Sequence, residues 1–411
     1  MEKNRRVVVV GMGIRSPIGN TLNDFVRSLK EGRSGISQVP AWENIKRLRT
    51  RLAGFCHIEG EEELIPRQNR RGMGRVAILA ALSALDAFRA SGLTRDEIAS
   101  PICGISYGST EGSIGDHMDY VRKMFINRTL EGIPASWYLK CMSHTCAANL
   151  SVLFQSRGPF ISSCTACVSG SQGVGFGYEA IKAGKAEIMI TGGAEEVDFL
   201  SAAVFDLMMA TSSNFNDRPS ETPRPFDALR DGLVVAEGAG TLILEEYERA
   251  KKRDAPIFGE VLGFWTNSSG AHLTNSDARS MEECLLAAIK DARRNPEDIQ
   301  HVNAHATATS QGDEIEAQVT HKIYGPRVPV TSIKGHLGHT MGASGAIEAI
   351  ATLLMMREGF IAPSLNLANP DPALPPLNHV MGEAQDHHFR TGVSNNFAFG
   401  GVNTSLILRL I

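Results

Sequence analysis

Apolar runs of strand length recur along the chain, separated by stretches of helical periodicity. RRVVVVGMGI, SPICGISYGS, AEIMITGGAEE and GTLILEEYE fall in the first part of the sequence. PIFGEVLGFW, IQHVNAHATAT, VPVTSIKGH and TSLILRLI fall in the second. Nearly continuous apolar strands alternating with helices predict α/β layers around buried sheets.

The pattern also repeats. FISSCTACVSGSQGVGFGYEAI (160–181) matches VPVTSIKGHLGHTMGASGAIEAI (328–350). Each reads as a strand, a turn with a reactive residue, and a Gly/Ala/Ser-rich helix ending in E-A-I. GAGTLILEE (238–246) is echoed by GVNTSLILR (401–409). Two similar halves, 1–255 and 256–411, are expected, joined through the charged helix end and proline of YERAKKRDAPI. At 411 residues the chain also exceeds the usual size of one core.

Glycines at 170, 173, 175 and 177 lower helix propensity by up to about 1 kcal/mol each relative to alanine. Apolar residues continue through Val174, Phe176 and Tyr178, so the segment reads as a helix that another backbone approaches closely. Two central helices crossing between sheets would bring the Cys167 turn and the GHLGH turn to one interface.

Composition mainly excludes. A net charge of −4 gives no global bias toward nucleic acid. The N-terminal MEKNRRVVVVGMGI mimics a signal peptide but is short and reaches a glycine turn after four valines, so a first strand is expected. No run approaches the ~20 apolar residues of a membrane helix. Seven scattered cysteines suit a reducing cytosol better than a disulfide framework.

Cys167 falls where a strand turns into a helix, and a helix N-terminus favours a thiolate. An inert buried thiol is the plain alternative. Cys164 makes C-T-A-C a CxxC, hence a redox reading, yet no second pair completes a zinc site. His305 ends an apolar strand, and His339 precedes the second glycine-rich helix. His336 ranks below them. The VVVVGMGIRSPIG start resembles a dinucleotide fingerprint but has its third glycine at Gly19, and no acidic residue ends an obvious second strand about 20 residues on.

Five motifs then occur together: TACVSG around Cys167, RPFDALRDGLVVAEGAG (224–240), VNAHATATSQGDEIEA (302–317), SIKGHLGHTMGASGAIEAI (332–350) and SNNFAFGGVN (394–403). With them the chain resembles the elongating, decarboxylating β-ketoacyl-acyl-carrier-protein synthases of the thiolase fold. The resemblance implies a five-layer α-β-α-β-α arrangement of two duplicated halves. No cysteine follows Cys284, which disfavours the thiolase branch, and Lys334 with His339 marks the Cys-His-His branch.

By resemblance, Cys167 takes up the acyl group while His305 and His339 stabilise the enolate formed on decarboxylation. Lys334 and Glu316 form an ion pair positioning His305. The Cys167 and Phe399 amides form the oxyanion hole, with Phe399 as gate and Phe397 beside it. Thr307 and Thr309 meet the pantetheine amides. Asn303, Glu348, Ser394 and Asn395 match a structural cation site, with a plain hydrogen-bond network as the alternative. Arg67, Arg70, Arg71 and Arg75 match basic positions that meet the acidic carrier protein, although a further basic pair after the 120s is not evident. No cofactor is implied beyond the phosphopantetheine of acyl carrier protein. A homodimer, or a heterodimer with a related subunit, is implied; nucleic acid and membrane partners are not.

Ala306, Ala398 and Val402 depart from the family pattern, and alanine at 398 suggests a stiffer gate. The YGSTEG segment (107–112), through Ser109 and Thr110, is expected to line the acyl pocket. The remaining choice is between fatty-acid synthesis and a specialised polyene or polyketide pathway, with a catalytically silent partner subunit as the rival class.

Overall fold

The computed structural model describes residues 5–274 and 276–411. Eleven strands form one hydrogen-bonded sheet. They are β1 (Val7–Arg15), β2 (Cys103–Gly108), β3 (Phe160–Ser163), β4 (Ile188–Glu195), β5 (Gly238–Glu246), β6 (Gly259–Ser268), β7 (His301–Asn303), β8 (Pro329–Thr331), β9 (Asn378–His379), β10 (Thr391–Ala398) and β11 (Val402–Arg409). Six helices matter below: α1 (Arg75–Ser91), α2 (Ser169–Lys182), α3 (Phe199–Leu207), α4 (Ala278–Asp291), α5 (Ser310–Tyr324) and α6 (Ser344–Glu358).

The strand order is β9-β8-β7-β10-β11-β6-β1-β5-β4-β2-β3. From β1 outward the first half runs β1-β5-β4-β2-β3, and from β6 the second runs β6-β11-β10-β7-β8. The pairing directions repeat as well. β1/β5 and β4/β5 are antiparallel while β4/β2 and β2/β3 are parallel. β6/β11 and β10/β11 are antiparallel while β7/β10 and β7/β8 are parallel. The chain is thus a duplicated α/β fold, and the echo of 238–246 in 401–409 is the match of β5 to β11. The two halves join where Val7–Val9 pair with Gly259–Val261.

Helices α2 and α6 lie in the middle and pack on each other and on strands of both halves. Helix α1 covers the outer face of β1 and β5, while α4, with α5 against it, covers β6 and β11. This is the five-layer thiolase arrangement. Burial on all sides explains why α6 is almost entirely apolar or small over its buried residues 344 to 356, with Glu348 the charged exception.

The glycines of α2 do what their cost requires, by more than one means. A Cβ on Gly170 would lie 2.7 Å from the Gly342 carbonyl oxygen, and one on Gly345 would lie 2.5 Å from the Ser171 amide nitrogen. Gly173 faces the Gly192 carbonyl, so three of these contacts are backbone approaches. Gly175 instead admits the Phe264 ring and Gly177 the Thr191 methyl.

Candidate active site

Each half delivers one side chain from a turn entering a central helix. After β3, Ala166 takes a left-handed φ of 50° and opens a 3-10 turn, Ala166–Val168, that runs into α2. Cys167 therefore sits just ahead of the helix rather than in its first turn. In the second half Met341, at φ 41°, opens the turn Met341–Ala343 into α6. Gly342 thus holds the place of Cys167, and His339 comes from the longer approach. The E-A-I echo is not equivalent: Glu179–Ile181 approach the end of α2, whereas Glu348–Ile350 fall early in α6.

The expected pair meets. His339 Nε2 is 3.0 Å from Cys167 Sγ, and His339 Nδ1 is 3.1 Å from Ser344 Oγ. The His305 and His339 rings stand edge to face at 5.3 Å between centroids. One donor atom from each of Cys167, His305 and His339 lies within 4.8 Å of the others. All three residues are buried.

His305 follows β7 on a loop pinned by α5. The Glu316 carboxylate accepts the His305 N–H at 2.8 Å and the Ala306 N–H at 2.6 Å. Asp313 accepts the Ala308 N–H at 3.0 Å, holding Ala308 at φ 67°. The expected Lys334–Glu316 ion pair is not formed: the Lys334 ammonium pairs with the Glu348 carboxylate of α6. The reason is geometric: the two Glu316 oxygens face the backbone donors of the His305 loop, whereas the Glu348 carboxylate faces Lys334 and, among the described residues, also accepts from the Asn396 amide at 2.6 Å.

Burial dominates the electrostatics. It pushes the Cys167 thiol up to about 12, with the Lys334 charge opposing it. Burial thus works against the thiolate that a helix N-terminus favours. Burial, then the Lys334 charge, hold His305 and His339 well below the usual imidazole range. Neutral imidazoles beside a neutral thiol suit proton exchange and hydrogen-bond donation. Burial also raises Glu316 to about 8 against its two N–H donors.

The three side chains open into a cavity of about 540 Å³, which Thr307, Thr309, Phe397 and Phe399 also line. The two threonine hydroxyls are 3.2 Å apart. Phe399 packs on Phe205 at 5.5 Å and Phe397 against His305 at 6.0 Å. Ala398 is extended at φ −130° and unstrained, while Gly400 and Gly401 take φ of 83° and 69°. Phe205, which also neighbours His339 at 6.4 Å, lies in the apolar run FLSAAVFDL with no chemical signal in sequence. Asp313 and Asn396 were likewise missed, although both lie inside quoted motifs.

Other expectations fare unevenly. Ser109 and Thr110 do not line this cavity: Ser109 Oγ donates to the Glu111 carbonyl at 2.7 Å and Thr110 Oγ1 to Glu195 at 2.5 Å. Exposed Cys164 donates to the Thr110 carbonyl at 2.9 Å, and both it and Cys167 are free thiols. Arg67 and Arg71 are exposed and Arg70 half-buried, on or beside the short helix Arg67–Arg70. Arg75 is committed elsewhere, gripping buried Glu237 through two nitrogens. His336 is held by two carbonyls, those of Arg33 and Pro363, and stays out of the site.

Around the implied cation site, Asn303 Oδ1 and Ser394 Oγ are buried without hydrogen-bond partners among the described residues, on strands β7 and β10 where these residues pair. Two orphaned oxygens suit a hard cation. The Glu348 carboxylate does not join them, being taken by Lys334 and Asn396, and Asn395 Oδ1 accepts from Ser405 at 2.8 Å.

A thiol in contact with one imidazole and facing a second is an arrangement suited to acyl transfer. Comparison with known proteins agrees. The family described as Beta-ketoacyl synthase, N-terminal domain, matches residues 4–250, and Beta-ketoacyl synthase, C-terminal domain, matches residues 258–368. The chain belongs to the β-ketoacyl synthase family of acyltransferase condensing enzymes. It is 34% identical to 3-oxoacyl-[acyl-carrier-protein] synthase 1 of Haemophilus influenzae, across 98% of this chain and 99% of that protein. A Beta-ketoacyl synthase from Burkholderia phymatum superposes with a TM-score of 0.96 at 42% identity, covering 99% and 100% of the two chains. The ishigamide ketosynthase/chain length factor superposes at 0.92 with 29% identity, all of each chain being covered.

Proposed function

We propose that the protein extends acyl chains by two carbons through decarboxylative condensation with malonyl-acyl carrier protein, using Cys167, His305 and His339. The 3.0 Å contact of His339 Nε2 with Cys167 Sγ carries the reading. Cys167 Sγ attacks the acyl thioester, the new C–S bond replaces the old one, and the thiol proton passes through His339 to the departing pantetheine sulfur. Amide N–H groups of Cys167 and Phe399 receive the developing oxyanion.

Malonyl thioester then enters, with Thr307 and Thr309 meeting its pantetheine. Its C–CO₂ bond breaks and the electron pair moves into an enolate, whose oxygen accepts hydrogen bonds from His305 and His339. Carbon attack on the acyl-Cys167 carbonyl expels the thiolate, which takes up one proton from solvent. Lys334 and Glu348 hold the polar floor of the site, and Glu316 fixes the His305 backbone. A cation held by Asn303 Oδ1 and Ser394 Oγ would be structural, joining β7 to β10 and supplying no chemistry.

The partner we infer is acyl carrier protein, which the name of the Haemophilus influenzae relative includes, met by Arg67, Arg70 and Arg71; charge steers such encounters. A second synthase subunit, identical or related, is inferred to cover the free edge of β3. Support comes from Phe160 on that edge, 49% exposed, and from Phe125 and Ile126, about three quarters exposed. Likeness to the ishigamide protein favours, as a second reading, a specialised polyene or polyketide pathway with a chain-length-factor-like partner. Seven free thiols support a cytoplasmic setting. No helix among the described residues is long and apolar enough to cross a membrane.

The test is product formation from malonyl- and acyl-carrier proteins, read by mass spectrometry. A β-ketoacyl product two carbons longer, absent with Cys167→Ala, is expected. Turnover on saturated chains assigns fatty-acid synthesis, and turnover on polyenes alone the specialised pathway. No product with any chain, alone or with a co-purified subunit, overturns the reading.

A further inference from the structure

Asn396, on β10 and fully buried, does not itself line the cavity, yet it contacts three parts of the site. Its Nδ2 donates to Glu348 Oε2 at 2.6 Å and lies 3.4 Å from His305 Nδ1. Its Oδ1 accepts from Ser171 Oγ, on the helix behind Cys167, at 3.0 Å. The Glu348 carboxylate, paired with Lys334, can only accept, so the amide must turn its nitrogen toward it. That orientation leaves the second N–H of Nδ2 for His305.

An amide nitrogen cannot accept a hydrogen bond, so His305 Nδ1 must be the acceptor and the ring proton must sit on Nε2. We propose that Asn396 is a positioning residue that fixes His305 as the Nε2–H tautomer, tying it to the Lys334–Glu348 pair and to the nucleophile helix through Ser171. This deepens the reading above and rests on it, because only a donor on the cavity side serves an enolate oxygen. The device spares Glu348 direct contact with the ring, where a carboxylate would accept from Nδ1–H and select the opposite tautomer.

The experiment is ¹⁵N NMR of the histidine-labelled full-length protein, with His305 assigned from a His305→Gln sample, beside rate measurements on Asn396→Ala. In the wild type, His305 Nδ1 should show the shift of an unprotonated acceptor and Nε2 that of a protonated nitrogen. In Asn396→Ala this single-tautomer signature should blur. Acylation of Cys167 should stay within about twofold while condensation with malonyl-carrier protein slows roughly ten- to a hundredfold, in kcat rather than KM. A wild-type His305 protonated on Nδ1 overturns the proposal even if the variant does not fold. So does a variant whose condensation rate or His305 signature is unchanged. A wild type that condenses nothing while showing the Nε2–H signature would refute the reaction and leave the tautomer assignment standing.

Discussion

The turn before α2 and the turn before α6 start from one geometry and end in different chemistry. Each opens with a left-handed residue, Ala166 or Met341, and runs through a 3-10 turn into a buried helix. In the first half the middle position is Cys167. In the second it is Gly342, whose carbonyl fills the space left by the absent side chain of Gly170. The second turn presents no nucleophile and instead packs against the first half. Its reactive group, His339, sits earlier, and its charged pair, Lys334 with Glu348, lies behind. A duplicated scaffold divides labour in this way: one half supplies the attacking atom and the other the groups that manage charge.

Removing the specialised residue on each side should break this division most sharply. Cys167→Ala should abolish acyl-enzyme and lower condensation by about 10⁴-fold or more, while His339→Ala should retain a thiol that acylates slowly. Stopped reactions analysed by intact mass separate the two.

Next comes the charge-managing side. Glu348→Ala strands the Lys334 ammonium in the interior and should cost about 3–5 kcal/mol in urea unfolding. Glu316→Gln, which keeps one acceptor for the His305 loop, should cost about 1–3 kcal/mol. Equal losses would mean that Lys334 is shared between the two carboxylates.

The reciprocal backbone contact predicts symmetry. Gly170→Val and Gly345→Val each place carbon where the other half's backbone lies, and each should lose about 1–3 kcal/mol. A large loss in one alone would show that a helix can shift.

The smallest effect is on pH. His301, buried with neither ring nitrogen hydrogen-bonded among the described residues, is held down to about 3, and His305 and His339 well below their usual range. These groups bind protons more readily when unfolded, so their contribution is intact above about pH 6.5 and is lost as pH falls below it. Each should steepen the loss by about 1.4 kcal/mol per pH unit. His301→Phe should flatten the slope by one such step.

Much of this was legible in sequence because it rests on local pattern. The eight apolar runs are strands, and the echo of 238–246 in 401–409 marks equivalent strands. Cys167, His305 and His339 could be singled out because each breaks an apolar or small-residue context at a strand end. The partner of Lys334 was not legible: Glu316 and Glu348 are both buried glutamates on helices, and only packing decides which faces the ammonium. The effect of burial on Cys167 was not legible for a related reason, since a helix N-terminus offers a modest attraction to a thiolate while burial penalises the charge. Phe205 and Asn396 act through contacts distant in sequence, with α3 and β10 reaching the site only after the sheet has formed.

The most direct test of the account is intact-mass analysis of the wild type and Cys167→Ala after incubation with a panel of acyl-carrier proteins. The account predicts a mass gain equal to one acyl group on the wild type, mapped to Cys167 and absent from the variant. An adduct that persists without Cys167, or no adduct with any chain, would contradict it.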